Sequence, residues 1–256
     1  MIIALVNNKG GVGKTTTAVN LAGGLASKAR RVLLIDLDSQ GSASLSLGVA
    51  RDALSPSSAA PLFDSVPIRS AIRQTAVAGL DLLTGSMELA NADLVLADMP
   101  GRESRLKTAL APIRSDYAFI IMDCPPSLSL LPINALVAAD GFIVPVVPHY
   151  LALEGLVNLM NAVDRVREGI GTVATLLGLV LTLVDYRTRV ASEIAAMIRE
   201  HYKGHVFRTE VRVNVRLTEA PSFGKTIFDY AAASTGAEAY RHLAAEVLQR
   251  CHKLKN

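Results

Sequence analysis

The sequence predicts a doubly wound α/β fold, a mostly parallel sheet flanked by helices, and three observations lead there. Short apolar runs rich in Val, Ile and Leu recur along the 256 residues, amphipathic stretches of helical length separate them, and a glycine-rich turn follows the first run at once. Strands covered on both faces read as continuous apolar runs, and their alternation with helices implies parallel pairing through right-handed crossovers.

Taken in order, Ile2–Val6 is apolar throughout and reads as a buried strand. Gly10, Gly11 and Gly13 make the turn, and helical spacing resumes over Lys14–Ser27. Arg31–Asp36 is a second strand that ends in a carboxylate. Val49–Pro67, with three prolines and several serines, reads as a surface excursion too short to divide domains. The pattern then predicts a helix over Ile68–Val77, a strand over Leu80–Thr84, and helices over Glu88–Ala97 and Glu103–Ile113. Strands follow at Tyr117–Asp123, Phe142–Val147 and Leu176–Val184, where apolar and β-branched residues dominate. The remaining helices are Leu153–Glu168, Val190–Tyr202 and Ala237–Lys253.

Composition sets bounds on this reading. With 50% hydrophobic and 19% charged residues and no low-complexity run, the chain is globular, and residues 1–256 are expected to form a single domain. No apolar run reaches the roughly 18 to 20 residues that span a bilayer. The first residues lack the basic lead and cleavage site of a secretion signal, so a cytoplasmic protein is expected. Cys124 and Cys251 lack metal-ligand spacing and read as structural thiols. Net charge is only +3, but residues 185–256 carry twelve Lys/Arg against eight Asp/Glu, whereas residues 1–184 carry fourteen against fifteen. The basic excess is C-terminal.

The strand, glycine turn and helix over residues 2–27 are the context of a phosphate-binding P-loop. Glycines let backbone N–H groups converge on phosphate oxygens, and the helix N-terminus adds positive potential. Lys14 would reach the β- and γ-phosphates, and the Thr15 hydroxyl would bind Mg²⁺. The usual pattern requires glycine at position 8, where this chain has Asn8, and it has an additional cation, Lys9. Asp123 closes an apolar strand at the edge where a carboxylate can hold a Mg²⁺-bound water, while Asp36 and Asp38 lie two apart at another strand end.

Lys9-Gly10-Gly11-Val12-Gly13-Lys14-Thr15-Thr16 resembles the deviant Walker A motif of the ParA/MinD family. Three further segments resemble that family in the same order. They are Val32–Gly41, with Ser39 where proline is usual; Tyr117–Ser127; and Val211–Lys225. Within the family the match is to ParA/Soj-type partition ATPases without an N-terminal helix-turn-helix domain. The resemblance implies a deviant Walker A P-loop NTPase that uses ATP and Mg²⁺ and works as an ATP-dependent sandwich dimer. It assigns residues 9–16 to ATP, with Lys9 crossing to the partner's phosphates, Asp38 orienting the attacking water, and Thr15, Asp36 and Asp123 serving the metal. Asn214 and the turn at Pro221 resemble the segment that brackets adenine in relatives.

An output surface is offered by Arg187, Arg189, Arg216 and Lys225, whose charges suit nonspecific, salt-sensitive binding of double-stranded DNA. Arg187 and Arg216 fall where related ParA proteins use arginines for DNA. The resemblance further implies nucleoid association and a ParB-like or other cargo adaptor that stimulates hydrolysis. The rival reading is a MinD-like membrane-associated ATPase, but the C-terminal residues have little apolar face and no membrane partner is expected. An iron–sulfur carrier would need differently placed cysteines, and a tyrosine kinase of the superfamily a C-terminal tyrosine cluster.

Overall fold

A computed structural model describes residues 1–171 and 173–255. Eight strands form one sheet: β1 (Ile2–Leu5), β2 (Val32–Asp36), β3 (Ile72–Gln74), β4 (Leu80–Leu83), β5 (Phe119–Asp123), β6 (Gly141–Val146), β7 (Thr175–Val184) and β8 (Val206–Arg212). Their order is β3-β4-β2-β5-β1-β6-β7-β8, and every pair is parallel except β3 with β4. The order reverses at β1, so the crevice above its C-terminal end, where ligands bind in open α/β sheets, is occupied by the glycine turn.

The helices are α1 (Lys14–Leu25), α2 (Ser42–Ser46), α3 (Ala59–Phe63), α4 (Ala92–Ala97), α5 (Arg105–Leu110), α6 (Leu130–Ala138), α7 (Ala152–Ile170), α8 (Arg189–His201), α9 (Val215–Glu219), α10 (Ile227–Tyr230) and α11 (Thr235–Lys255). Two apolar layers cover the sheet. On one face α1 buries Leu21 and Leu25 against β1, β2 and β5, and α11 buries Tyr240, Leu243 and Val247 against α1, β7 and β8. On the other, Leu96, Leu106, Leu131, Leu156, Leu159 and Ile198 bring in α4 to α8. In α7 the buried Leu156, Leu159 and Val163 recur at helical spacing. Each contributes about 1.5 to 3 kcal/mol by leaving water, which is what holds this otherwise charged helix in place.

The structure corrects four sequence expectations. Residues 68–77 are not a helix: Ile68–Ser70 makes one 3₁₀ turn and Ile72–Gln74 pairs antiparallel with β4, with Ile72 opposite Leu83. Sheet-edge pairing outweighs the weak helical pattern of so short a segment. The stretch 49–67 is more than a surface excursion, because Ser57, Ser58, Ala59 and Leu62 are buried and the Ser58 hydroxyl donates to the Asp36 carbonyl at 2.8 Å. β8 was not foreseen, since Arg208, Glu210 and Arg212 interrupt its apolar run as they do on any one-sided edge strand. Nor was α6 foreseen. Its Pro132 lies in the first turn, where a missing N–H leaves no helical bond unmade.

Candidate functional site

The P-loop geometry follows from two glycines. Gly11 (φ 71°) and Gly13 (φ 77°) adopt left-handed conformations that L-residues avoid, and Gly13 caps α1 without any side-chain hydrogen bond. The first N–H groups of α1 are therefore left for a ligand. Gly10 and Gly11 are exposed, Val12 is buried beneath them, and Thr15 and Thr16 are half-buried on the first turn. The loop is held from below. The Asn7 amide donates to the Pro145 carbonyl at 2.7 Å while its oxygen accepts the Lys9 N–H at 3.0 Å, and the Thr182 hydroxyl donates to the Val12 carbonyl at 2.8 Å.

Both lysines are turned inward onto their own chain. Lys14 Nζ donates to the Lys9 carbonyl at 2.8 Å and is largely buried, and that burial lowers its pKa against the opposing pull of Asp123. Lys9 Nζ donates to the Leu151 carbonyl at 2.6 Å, at the start of α7, with its stem against Gly155. The structure thus docks Lys9 on a helix of its own chain, a contact that its sequence neighbourhood does not indicate. His149, beside it, is exposed and accepts the Leu151 N–H at 3.2 Å.

The three carboxylates differ sharply. Asp36 and Asp123 are Cα partners at the C-terminal ends of β2 and β5, and both are fully buried. Asp36 is satisfied: Oδ2 accepts the Ser44 N–H (2.9 Å) and hydroxyl (2.7 Å), and Oδ1 accepts the Asp38 N–H at 3.1 Å. Burial still lifts its pKa to about 6 against those bonds. Asp36, expected to support the metal shell, has its oxygens engaged in holding α2 and the residue 38 loop. Asp123 is the reverse case. Neither of its oxygens has a hydrogen-bond partner, and burial followed by the Asp36 charge pushes its pKa well above the usual carboxylate range. Thr15 and Lys14 lie close enough to oppose that rise, though the Thr15 hydroxyl does not meet the carboxylate at hydrogen-bond geometry. Half-buried Asp38 uses Oδ1 to accept the Gln40 N–H at 3.0 Å.

An orphaned carboxylate beside a hydroxyl fits Mg²⁺, which takes one or two protein oxygens and fills its octahedron with phosphate and water. Among the described residues no group of three or more His, Cys, Asp or Glu is placed to hold a metal without such help.

The other predicted residues lie farther round the sheet's C-terminal edge. Asn214 caps α9 by accepting the Arg216 N–H at 2.9 Å and donates to the Thr235 hydroxyl at 2.8 Å; half-buried Pro221 sits in the 3₁₀ turn Ala220–Phe223, which packs on α2. These bonds tie the segment to itself and to α11 rather than to the P-loop. Arg187, Arg189 and Arg216 gather at the adjoining ends of β7 and β8, where the Val213 N–H donates to the Val184 carbonyl. Each is exposed and paired with a near neighbour: Arg187 with Asp185 (2.6 Å), Arg189 with Glu193 (2.8 Å) and Arg216 with Glu219 (2.9 Å). Lys225 is exposed. Sequence reasoning missed Ser44, Asn7 and Thr182. Only Thr182 left a trace, as a hydroxyl inside an otherwise apolar strand.

With this geometry in place, likeness to known proteins can be judged. The family model described as an AAA domain matches residues 1–174. The chain is 45% identical to the chromosome-partitioning ATPase Soj of Thermus thermophilus over 97% of its length and 95% of that protein's. It is 43% identical to the sporulation initiation inhibitor protein Soj of Bacillus subtilis (96% and 97% covered) and 42% identical to the chromosome partitioning protein ParA of Myxococcus xanthus (97% and 88%). Among solved structures, a cobyrinic acid a,c-diamide synthase of Mycobacterium smegmatis with bound ADP and magnesium superposes with TM-score 0.84 at 33% identity, covering 98% of this chain and 95% of that one. The cell division ATPase MinD of Pyrococcus furiosus gives 0.78 at 25% identity, with 97% and 98% covered. Near-complete coverage by these relatives, together with the doubly wound sheet and the two-lysine glycine loop at its switch point, places the chain in the ParA/Soj family of partition ATPases.

Proposed function

We propose that residues 1–256 form one ATPase domain that binds Mg²⁺·ATP, pairs with a second copy into a sandwich dimer, and in that state holds double-stranded DNA without sequence preference. A ParB-like or other cargo adaptor then stimulates hydrolysis and resets the monomer, so that a plasmid, chromosome or other cargo is positioned on the nucleoid of the cytoplasm. The observation that carries this reading is the buried, donorless carboxylate of Asp123 beside Thr15 and Lys14 at the mouth of an open glycine loop. Ionising a carboxylate buried without a donor is costly, so Asp123 holds its proton in the free protein, and a divalent cation brought in with a nucleotide would take that proton's place.

Residues 10–16 cradle the phosphates through backbone N–H groups, and Lys14 exchanges the Lys9 carbonyl for phosphate oxygens. Thr15 and Asp123 would hold the metal, directly or through water, and Mg²⁺ supplies charge neutralisation on the β- and γ-phosphates. Asp38, engaged through one oxygen only, has its second carboxylate oxygen available to orient a water. Lys9 is held on α7 rather than by the glycine loop, and it is assigned to the partner's phosphates across a dimer interface. Asn214 and Pro221 would bracket the adenine after local adjustment.

Molar mass by light scattering, with ATP, ADP or no nucleotide, tests the switch. Asp38→Ala should accumulate as a dimer in ATP, whereas Lys9→Ala should remain monomeric and hydrolyse nothing. A Lys9→Ala protein with normal turnover refutes the trans assignment. If Arg187, Arg189, Arg216 and Lys225 all meet phosphates, log affinity for DNA should fall with log salt at a slope of about −7 for the dimer against about −4 for a monomer. A slope indifferent to ATP removes the proposed coupling.

A further inference from the structure

We infer that Thr182, on β7, is a positioning residue of the phosphate site: it fixes the peptide between Val12 and Gly13 so that the Gly13 N–H faces the β-phosphate. The inference rests on residues 9–16 being the phosphate loop and goes beyond the residues that the loop motif itself supplies. Three features support it, beginning with the hydrogen bond from the Thr182 hydroxyl to the Val12 carbonyl at 2.8 Å, made by a side chain that is 2% exposed.

In a trans peptide the carbonyl and the following N–H point in opposite directions. Anchoring the Val12 oxygen to β7 therefore turns the Gly13 N–H away from β7. Secondly, the same side chain sets the depth of the loop, because a Cβ at Gly13 would lie 3.6 Å from Thr182 Cβ, in van der Waals contact. One threonine thus determines both the tilt and the height of a peptide whose next residue is in the left-handed region.

The third feature is the strand itself. Pairing with β6 ends at Leu181, the register with β8 shifts between Thr182 and Val184, and Leu183 between them has φ 50°, outside the region that leucine ordinarily occupies. Bulges of this kind re-aim side chains near sites, and strain at a leucine persists only where its surroundings impose it. A regular strand would have needed neither the bulge nor the strain to bury a hydroxyl.

The test compares Thr182→Val, which keeps the shape and loses the hydroxyl, with Thr182→Ser, which keeps the hydroxyl. Binding of ADP and of AMP is titrated calorimetrically with Mg²⁺ present, and melting without nucleotide monitors folding. Thr182→Val should bind ADP about five- to tenfold more weakly, the worth of one well-placed hydrogen bond, with AMP unchanged within twofold. Thr182→Ser should restore ADP affinity to within twofold of the parent. Should Thr182→Val not fold, Thr182→Ala removes the same hydroxyl with less bulk and is read by the same ADP-to-AMP ratio. ADP affinity unaltered by loss of the hydroxyl, an equal weakening of ADP and AMP, or a serine variant as weak as the valine one each overturns the inference. A parent protein that binds no ADP would instead remove the phosphate-site reading itself.

Discussion

Replacing Gly155 by alanine should loosen the Lys9 side chain without touching the P-loop backbone. A Cβ at Gly155 would lie 2.8 Å from Lys9 Cε and 3.0 Å from Nζ, and since those atoms end a flexible side chain, the lysine yields rather than α7. What is lost is the 2.6 Å bond from Nζ to the Leu151 carbonyl. A hydrogen bond to a charged group is worth about 1.5 to 3 kcal/mol, but the dock lies at the positive end of a helix, which opposes a cation by about 0.3 to 1 kcal/mol. Ordering a lysine costs up to about 2 kcal/mol more. The net hold is therefore about 1 kcal/mol or less. Two protomers must each release a lysine to form the proposed dimer, so Gly155→Ala should tighten ATP-dependent dimerisation by up to about thirtyfold. Alanine inside α7 should also raise the melting temperature slightly, by removing the entropy cost of glycine. Sedimentation equilibrium in ATP, in an Asp38→Ala background that preserves the nucleotide, measures the dimer constant. An unchanged or weaker dimer would refute the dock as a restraint on Lys9.

Two further outcomes follow from the carboxylates. Burial pushes Asp36 up to about 6 and holds Asp123 well above the usual carboxylate range, so the folded state holds these protons more tightly than the unfolded chain does. Stability from them is complete below about pH 4 and is lost as pH rises through 6 and above; for Asp36 alone this is roughly 3 kcal/mol. The metal-free, nucleotide-free protein should therefore melt lower at pH 8 than at pH 5, and Asp123→Asn should shrink the difference; a flat melting profile contradicts this. Ser44→Ala removes the 2.7 Å hydroxyl bond to Asp36 and leaves the Gly85 N–H, which donates to that hydroxyl at 3.0 Å, without its acceptor. Urea unfolding should show a loss of about 2 to 4 kcal/mol, and a loss under 1 would mean that water replaces the hydroxyl.

Legibility of the sequence depended on whether a feature was local. The glycines at 10, 11 and 13, the lysines at 9 and 14, and carboxylates at strand ends each carry their meaning within a few residues, so the loop and Asp123 could be placed before any coordinates. The central strands were legible for a similar reason, since burial on both faces makes them uniformly apolar. β3 and β8 were not, because an edge strand has one partner and one wet side and so resembles a loop. The different surroundings of Asp36 and Asp123 were not legible from their positions. Asp123 is an unbonded carboxylate while Asp36 accepts three hydrogen bonds, and the difference comes from Ser44, eight residues on in a helix of five. Thr182 meets Val12 across 170 residues, a contact that no window of sequence contains.

On the proposed reading, five of the six cations assigned to a phosphate already have a substitute acceptor among the described residues of one protomer. Lys14 uses the Lys9 carbonyl, Lys9 uses the Leu151 carbonyl, and the three arginines use Asp185, Glu193 and Glu219. Ion pairs this exposed are screened by solvent and weak, so exchanging a carboxylate for a DNA phosphate is nearly free for each arginine. The pairs therefore subtract little from either form, and the counterions released by two sets of arginines on one rigid dimer are what separate it from a single protomer. The dependence of DNA binding on ATP then comes from doubling the phosphate contacts on one rigid body, and the internal pairs, being readily exchanged, leave that dependence intact.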